Sequence, residues 1–267
     1  MKKIPIRGSE FAVFDEGDGP PLLFVHGFPL DHAMWRDQLA EFAAEYRVIA
    51  PDLRGFGSSE VGDVAVTMEQ FADDLAAALD ALGVTEPVTL IGLSMGGYVA
   101  WQFLRKYRRR LRAMVLCDTR AAADSPDAAE NRLKVAETVL ADGTEALARA
   151  MVPKLFGKQT IDARPAVVDA VRNVILQANP HGVAAAQRAM AARPDATSML
   201  GAIDVPTLVV VGEDDVISPL EEMRRIAEAI PGSRLVVIPD AGHMSPLENP
   251  AAFNAALREF LQRPFKG

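Results

Sequence analysis

Four short apolar runs, each leading toward a stretch with helical spacing, constrain this chain more than any other feature. Pro21-Leu22-Leu23-Phe24-Val25, Arg47-Val48-Ile49-Ala50, Val88-Thr89-Leu90-Ile91 and Ala113-Met114-Val115-Leu116-Cys117 suit strands buried on both faces. Between them, residues 31–46 place Met34, Trp35, Leu39, Phe42 and Ala43 at helical spacing. Residues 67–82 read as an amphipathic helix with Thr67 or Met68 near its cap and Gly83 as its stop, and 97–107 form a third helical stretch. Strands that alternate with helices predict a parallel sheet wound by right-handed crossovers, with reactive residues at the carboxyl ends of the strands.

The chain opens with two predicted strands, 3–6 and 10–15, separated by Gly8-Ser9 and closed by Gly17-Asp18-Gly19-Pro20. From 120 to 202 the alternation stops. Four helical stretches at 127–141, 144–155, 165–178 and 181–193 are broken at Gly143, Gly157, Asn179-Pro180 and Pro194. Such a block inserted into an alternating pattern predicts a helical cap (120–202) over a core formed by 1–119 and 203–267, although a purely structural subdomain would look the same. Met151, Met190 and Met199 in this block are expected to fill core rather than line a pocket. The strand pattern resumes at 205–211 and 233–238, with helices at 220–230 and 250–262.

The 267 residues carry a net charge of −8, which argues against nucleic acid or anionic membrane as partner. The one basic cluster, Arg105 to Arg112, closes the 97–107 helix, where cations complement the dipole. The single cysteine, Cys117, excludes an intrachain disulfide and a cysteine-based metal site, and its apolar neighbours predict an inert strand residue. Ile4-Pro5-Ile6-Arg7-Gly8 interrupts any secretory apolar region, so cytoplasmic residence is the expectation.

Against that frame, Gly92-Leu93-Ser94-Met95-Gly96-Gly97 lies between a strand and a helix and reads as a nucleophile elbow. A serine hydroxyl is a weak nucleophile at neutral pH and needs an imidazole to take its proton and an acid to orient that imidazole. Of four histidines, His26 sits in the His26-Gly27-Phe28-Pro29 loop, His32 begins a helix and His181 begins another; only His243 follows the last strand. The acid is expected after strand 205–211, where Glu213, Asp214 and Asp215 compete; Asp215 is favoured because it precedes the loop that Pro219 closes, with Asp118 as the alternative. Two N–H donors should meet the developing oxyanion, one from Met95 and one from Phe28, with His26 as a structural residue that fixes its loop. Gly55-Phe56-Gly57-Ser58-Ser59-Glu60 lacks the third glycine of a dinucleotide fingerprint, and neither a phosphate-loop nor a zinc-protease motif occurs, so no cofactor and no metal are expected.

Taken together, His26-Gly27-Phe28-Pro29, Asp52-Leu53-Arg54-Gly55-Phe56-Gly57-Ser58-Ser59, Gly92 to Gly97, Gly212-x-x-Asp215-x-x-x-Pro219 and Gly242-His243 resemble the α/β-hydrolase superfamily along essentially the whole chain. The resemblance is strongest to small bacterial carboxylesterases and 3-oxoadipate enol-lactonase-like proteins. It implies an α/β fold with a mostly parallel eight-stranded sheet flanked by helices and a helical cap between strands six and seven. It also implies Ser94, Asp215 and His243 as nucleophile, acid and base, Phe28 and Met95 as oxyanion donors, and a small-molecule ester or lactone as substrate. Because related dehalogenases and epoxide hydrolases carry a carboxylate at the elbow, Ser94 points to acyl transfer. Lactone, peroxide and carbon–carbon bond chemistry on the same triad, and a ligand receptor on the same fold, remain alternatives; oligomeric state is not indicated.

Overall fold

A computed structural model describes residues 1–62 and 66–263. Strands β1 (Lys2–Ile6) and β2 (Ser9–Glu16) form an antiparallel hairpin. Its turn is centred on Arg7 and Gly8, both at positive φ (48° and 81°), the mirror-image turn whose twist suits a tight hairpin. Strand β3 (Pro21–Val25) is buried along its length and leads through a 3₁₀ turn at His32–Trp35 into α1 (Arg36–Phe42). One continuous helix over 31–46 was the expectation; instead the Asp31 side chain caps Ala33 N–H, winding the first turn tighter, and the α-helix stops at Phe42.

Strand β4 (Arg47–Pro51) is followed by α2 (Met68–Ala81), which Thr67 caps through Gln70 N–H. Then come β5 (Val88–Leu93), α3 (Met95–Tyr107) and β6 (Leu111–Cys117). Five helices follow without a strand: α4 (Pro126–Asp142), α5 (Glu145–Leu155), α6 (Lys158–Ala163), α7 (Pro165–Gln177) and α8 (Pro180–Ala191). The six-residue α6 lies beyond the four helical stretches expected here. The ends of this insertion meet, since Ala196 N–H donates to Ala121 O at 2.8 Å. Strand β7 (Thr207–Gly212), α9 (Leu220–Ala229), β8 (Arg234–Ile238), a short α10 (Ser245–Glu248) and α11 (Pro250–Leu261) complete the chain.

The eight strands form one sheet in the order β1-β2-β4-β3-β5-β6-β7-β8. β2 runs antiparallel to β1 and β4, and every later pairing is parallel. The winding reverses at β3, which pairs with β4 on one side and β5 on the other. Sites in open α/β sheets form at that switch, outside the carboxyl ends of the strands. The apolar core brackets the sheet, and β3, β5 and β7 are buried throughout.

The basic cluster ends α3 as expected, and its cations reach other elements: Lys106 pairs with Asp73, Arg110 with Asp80 and Arg108 with Asp204, while Arg105 donates to Asp195 O. Cys117 is fully buried, and burial raises its thiol pKa, which disfavours the thiolate. Met190 is buried and Met151 and Met199 pack partly buried against the core. No helix among the described residues is long and apolar enough to cross a membrane.

Candidate active site

Ser94 sits between β5 and α3 with φ 53° and ψ −111°, a conformation that costs a non-glycine residue of order 1–3 kcal/mol. Packing enforces it. A Cβ on Gly92 would lie 2.5 Å from Gly96 O, and one on Gly96 would lie 2.3 Å from Val25 O, so strand and helix approach only because both positions lack a side chain. The serine backbone is bonded on both sides: its N–H donates to Cys117 O at 2.9 Å, and its carbonyl accepts from Thr119 Oγ1 at 2.7 Å and from Gly97 N–H at 2.9 Å.

The loop after β3 lies against this elbow. A Cβ on Gly27 would stand 3.6 Å from Ser94 Cβ and 2.8 Å from Leu93 Cδ2. His26 is wholly buried and bolts the loop in place, taking Leu53 N–H on Nε2 at 2.9 Å. Nδ1 then carries the proton and donates to Gly27 O at 2.9 Å. Burial lowers the His26 pKa and keeps the ring neutral. Met95 is the first residue of α3, so its N–H has no partner within the helix. Phe28 follows Gly27 and is buried at the same end of the sheet.

His243 leaves the loop after β8 and is 3% exposed; Nδ1 donates to Asp215 Oδ2 at 2.8 Å. Asp215 is 5% exposed and lies on the loop after β7, its Oδ1 accepting the N–H of Ile217 at 2.7 Å and of Ser218 at 2.9 Å. Burial pushes the Asp215 carboxyl up, but the His243 charge and hydrogen bond, together with those two N–H groups, outweigh it and hold it below the usual carboxylate range. The two other acids of this loop, Glu213 and Asp214, are exposed.

Asp118 is buried and faces elsewhere: Oδ1 takes Gly212 N–H at 2.8 Å and Oδ2 takes the Ser245 hydroxyl at 2.5 Å. Burial and the neighbouring Asp215 push its carboxyl well up. Asp215 and His243 are thus brought into direct contact, and Ser94 is brought against the Phe28 loop. Among the described residues no hydrogen bond joins Ser94 Oγ to the His243 ring, whose bond is to Asp215. In unliganded serine–histidine sites that bond is commonly long and tightens on complex formation.

Asp31, His32 and Asp52 are the one cluster among the described residues with metal-ligand spacing, their donor atoms lying within 4.8 Å of one another. An ion pair accounts for the arrangement: Asp52 Oδ1 accepts both His32 N–H and His32 Nδ1–H, and Oδ2 accepts Ser58 N–H. Ser245 and Glu248, both buried on α10 beside His243, have no counterpart among the expected site residues.

A family model described as the alpha/beta hydrolase fold matches residues 20–250. Among solved structures, a thermophilic esterase from Thermogutta terrifontis, determined with malate bound, is 50% identical, with a TM-score of 0.97 and 100% of each chain covered. 3-Oxoadipate enol-lactonase 2 of Acinetobacter baylyi is 28% identical over 95% of this chain and 92% of its own. Non-heme chloroperoxidase CPO-A1 of Kitasatospora aureofaciens is 32% identical over 96% of this chain and 97% of its own.

Proposed function

This chain belongs to the α/β-hydrolase family, and we propose that within it the protein is a serine hydrolase that cleaves a small carboxylic ester or lactone through an acyl-serine intermediate. The observation that carries the reading is the 2.8 Å bond from His243 Nδ1 to Asp215, at the end of the sheet where the strained elbow presents Ser94. Esterase and enol-lactonase relatives support it.

In the proposed reaction Asp215, ionised and acceptor-only, holds the His243 proton on Nδ1 and leaves Nε2 free to act as base. Ser94 Oγ gives its proton to Nε2 as it adds to the acyl carbon, and the N–H groups of Phe28 and Met95 receive the carbonyl oxygen as its charge grows. Collapse breaks the bond to the leaving oxygen, which takes the proton from His243. Water then gives a proton to His243 and adds to the acyl carbon, and Ser94 leaves with that proton. The 120–202 segment acts as a cap that shapes the acyl and alcohol pockets, with 1–119 and 203–267 as the catalytic core.

The test is turnover of short-chain p-nitrophenyl esters and a panel of small lactones by the purified protein. Ser94→Ala is expected to abolish it; multiple turnover surviving in that variant overturns the reading. The chloroperoxidase relative favours a second acceptor, with peroxide in place of water in the deacylation step. Peracid formation from acetate and peroxide, lost in Ser94→Ala, is the result that supports it.

A further inference from the structure

Glu248 is the last residue of α10, five positions past His243, and 6% exposed. Its carboxylate is satisfied by neutral donors. Oε1 accepts the N–H of Gly242 at 2.8 Å and of Met244 at 3.1 Å, the two residues that flank His243 in the chain. Oε2 accepts the N–H of Gly157 at 2.7 Å, and the Thr160 hydroxyl donates to the same group. Gly157 and Thr160 belong to the helical insertion, at the start of α6.

The surrounding contact is backbone against backbone. A Cβ on Gly242 would stand 2.5 Å from Gly157 N. Met244 N–H also reaches Leu155 O at 3.1 Å, and Arg164 on the insertion donates to the carbonyls of Leu247 and Glu248 at 3.1 and 2.6 Å. The His243 loop therefore rests on the insertion as well as on the sheet.

Three N–H groups and one hydroxyl converge on a single side chain, which must offer acceptors only. An ionised carboxylate does so; a glutamine would turn an NH₂ group toward one of those donors. Burying the charge is costly, and it pushes the Glu248 carboxyl up against the pull of the four donors. A group retained at that cost, and bonded on both sides of one histidine, is placed to control that histidine.

We propose that Glu248 is a positioning residue: it holds both peptide flanks of His243 and locks them to the insertion, so that the aim of the imidazole depends on the insertion being docked. The effect on turnover rests on the serine-hydrolase reading; the effect on His243 geometry does not.

The test compares Glu248→Gln and the milder Thr160→Val with the parent protein, each as the full chain. One readout is the downfield proton resonance of His243 Nδ1–H. The other is the split between kcat and KM on p-nitrophenyl acetate, scaled to folded protein. Glu248→Gln is expected to move the resonance upfield or abolish it and to lower kcat about 10- to 100-fold with KM little changed. Thr160→Val should move each quantity in the same direction by less.

An unchanged resonance and an unchanged kcat in Glu248→Gln overturn the proposal, whatever happens to the melting temperature. If that variant does not fold, the same null result in Thr160→Val overturns it. If the parent protein shows no turnover, the serine-hydrolase reading fails and the resonance alone decides the positioning role.

Discussion

His243 Nδ1 stands 2.8 Å from Asp215 Oδ2, while Asp118, equally buried at the end of β6, spends its two oxygens on Gly212 and Ser245. Their environments drive the two carboxylates apart: the His243 charge and hydrogen bond hold Asp215 low, and burial pushes Asp118 well up.

Asp215→Asn should therefore lower kcat by about 10⁴-fold, because an amide favours the wrong imidazole tautomer. Asp118→Asn should lose about tenfold or less, since an amide can still accept Gly212 N–H and bond the Ser245 hydroxyl. Steady-state rates on a short-chain ester check the pair. The reverse order of losses would remove Asp215 from the triad.

Strain at the elbow predicts a stability change opposite in sign to the change in activity. Ser94→Gly should raise the unfolding free energy by about 1 kcal/mol, because glycine relieves the positive φ at some cost in unfolded-state entropy. Ser94→Ala should not, because alanine keeps the Cβ. Both should be inactive. Urea denaturation of the two variants makes the comparison.

The His32–Asp52 pair predicts a pH window. His32 is raised above 6.5: burial opposes this, but the Asp52 hydrogen bond and charge outweigh it. Its contribution is therefore full below pH 6.5 and is lost as pH rises through the folded value. Asp52 is held below 3.8, where burial is outweighed by His32 and by two backbone N–H groups, so its contribution is present above 3.8 and is lost as pH falls through its folded value. The stability deficit of His32→Gln should be largest between about pH 4 and 6.5 and should shrink by pH 9. Denaturation midpoints across that range measure it, and a deficit that grows toward pH 9 would contradict the pairing.

Gly182 on α8 predicts how tightly the insertion meets the core. A Cβ there would fall 2.0 Å from Gly55 O and 2.9 Å from Gly55 Cα, so backbone has to move. Gly182→Ala should cost about 1–3 kcal/mol of stability and raise KM more than it lowers kcat. Gly201→Ala, with open space around it, is the control and should stay within about 0.5 kcal/mol of the parent.

The buried strands were legible because each is a continuous apolar run, and the elbow because glycines on both sides of Ser94 answer a steric demand visible in the residue types. The 3₁₀ turn at His32–Trp35 was not, since it depends on Asp31 capping locally and on His32 bonding Asp52, twenty residues away. Helices α6 and α10 span six and four residues, too short for periodicity to register. Glu248 was silent for a different reason: a glutamate just past a strand is ordinarily solvated, and although Gly242 and Met244 lie close by in the chain, its other two donors come from the insertion, 91 residues away at Gly157, and only the fold brings them to it. Asp215 could be ranked above its neighbours, but the exposure of Glu213 and Asp214 belongs to the three-dimensional turn alone.

The hydrogen bond between Ala196 N–H and Ala121 O brings the two ends of the helical insertion within one peptide's reach of each other. The intervening 74 residues are thus a closed excursion from the sheet. In topology such a segment is a cassette: the spacing of β6 and β7 is set by their direct pairing and not by its length. One limit on exchange is the Gly157–Thr160 corner, because a replacement that no longer offers donors there would leave one oxygen of a buried carboxylate without its partners beside His243.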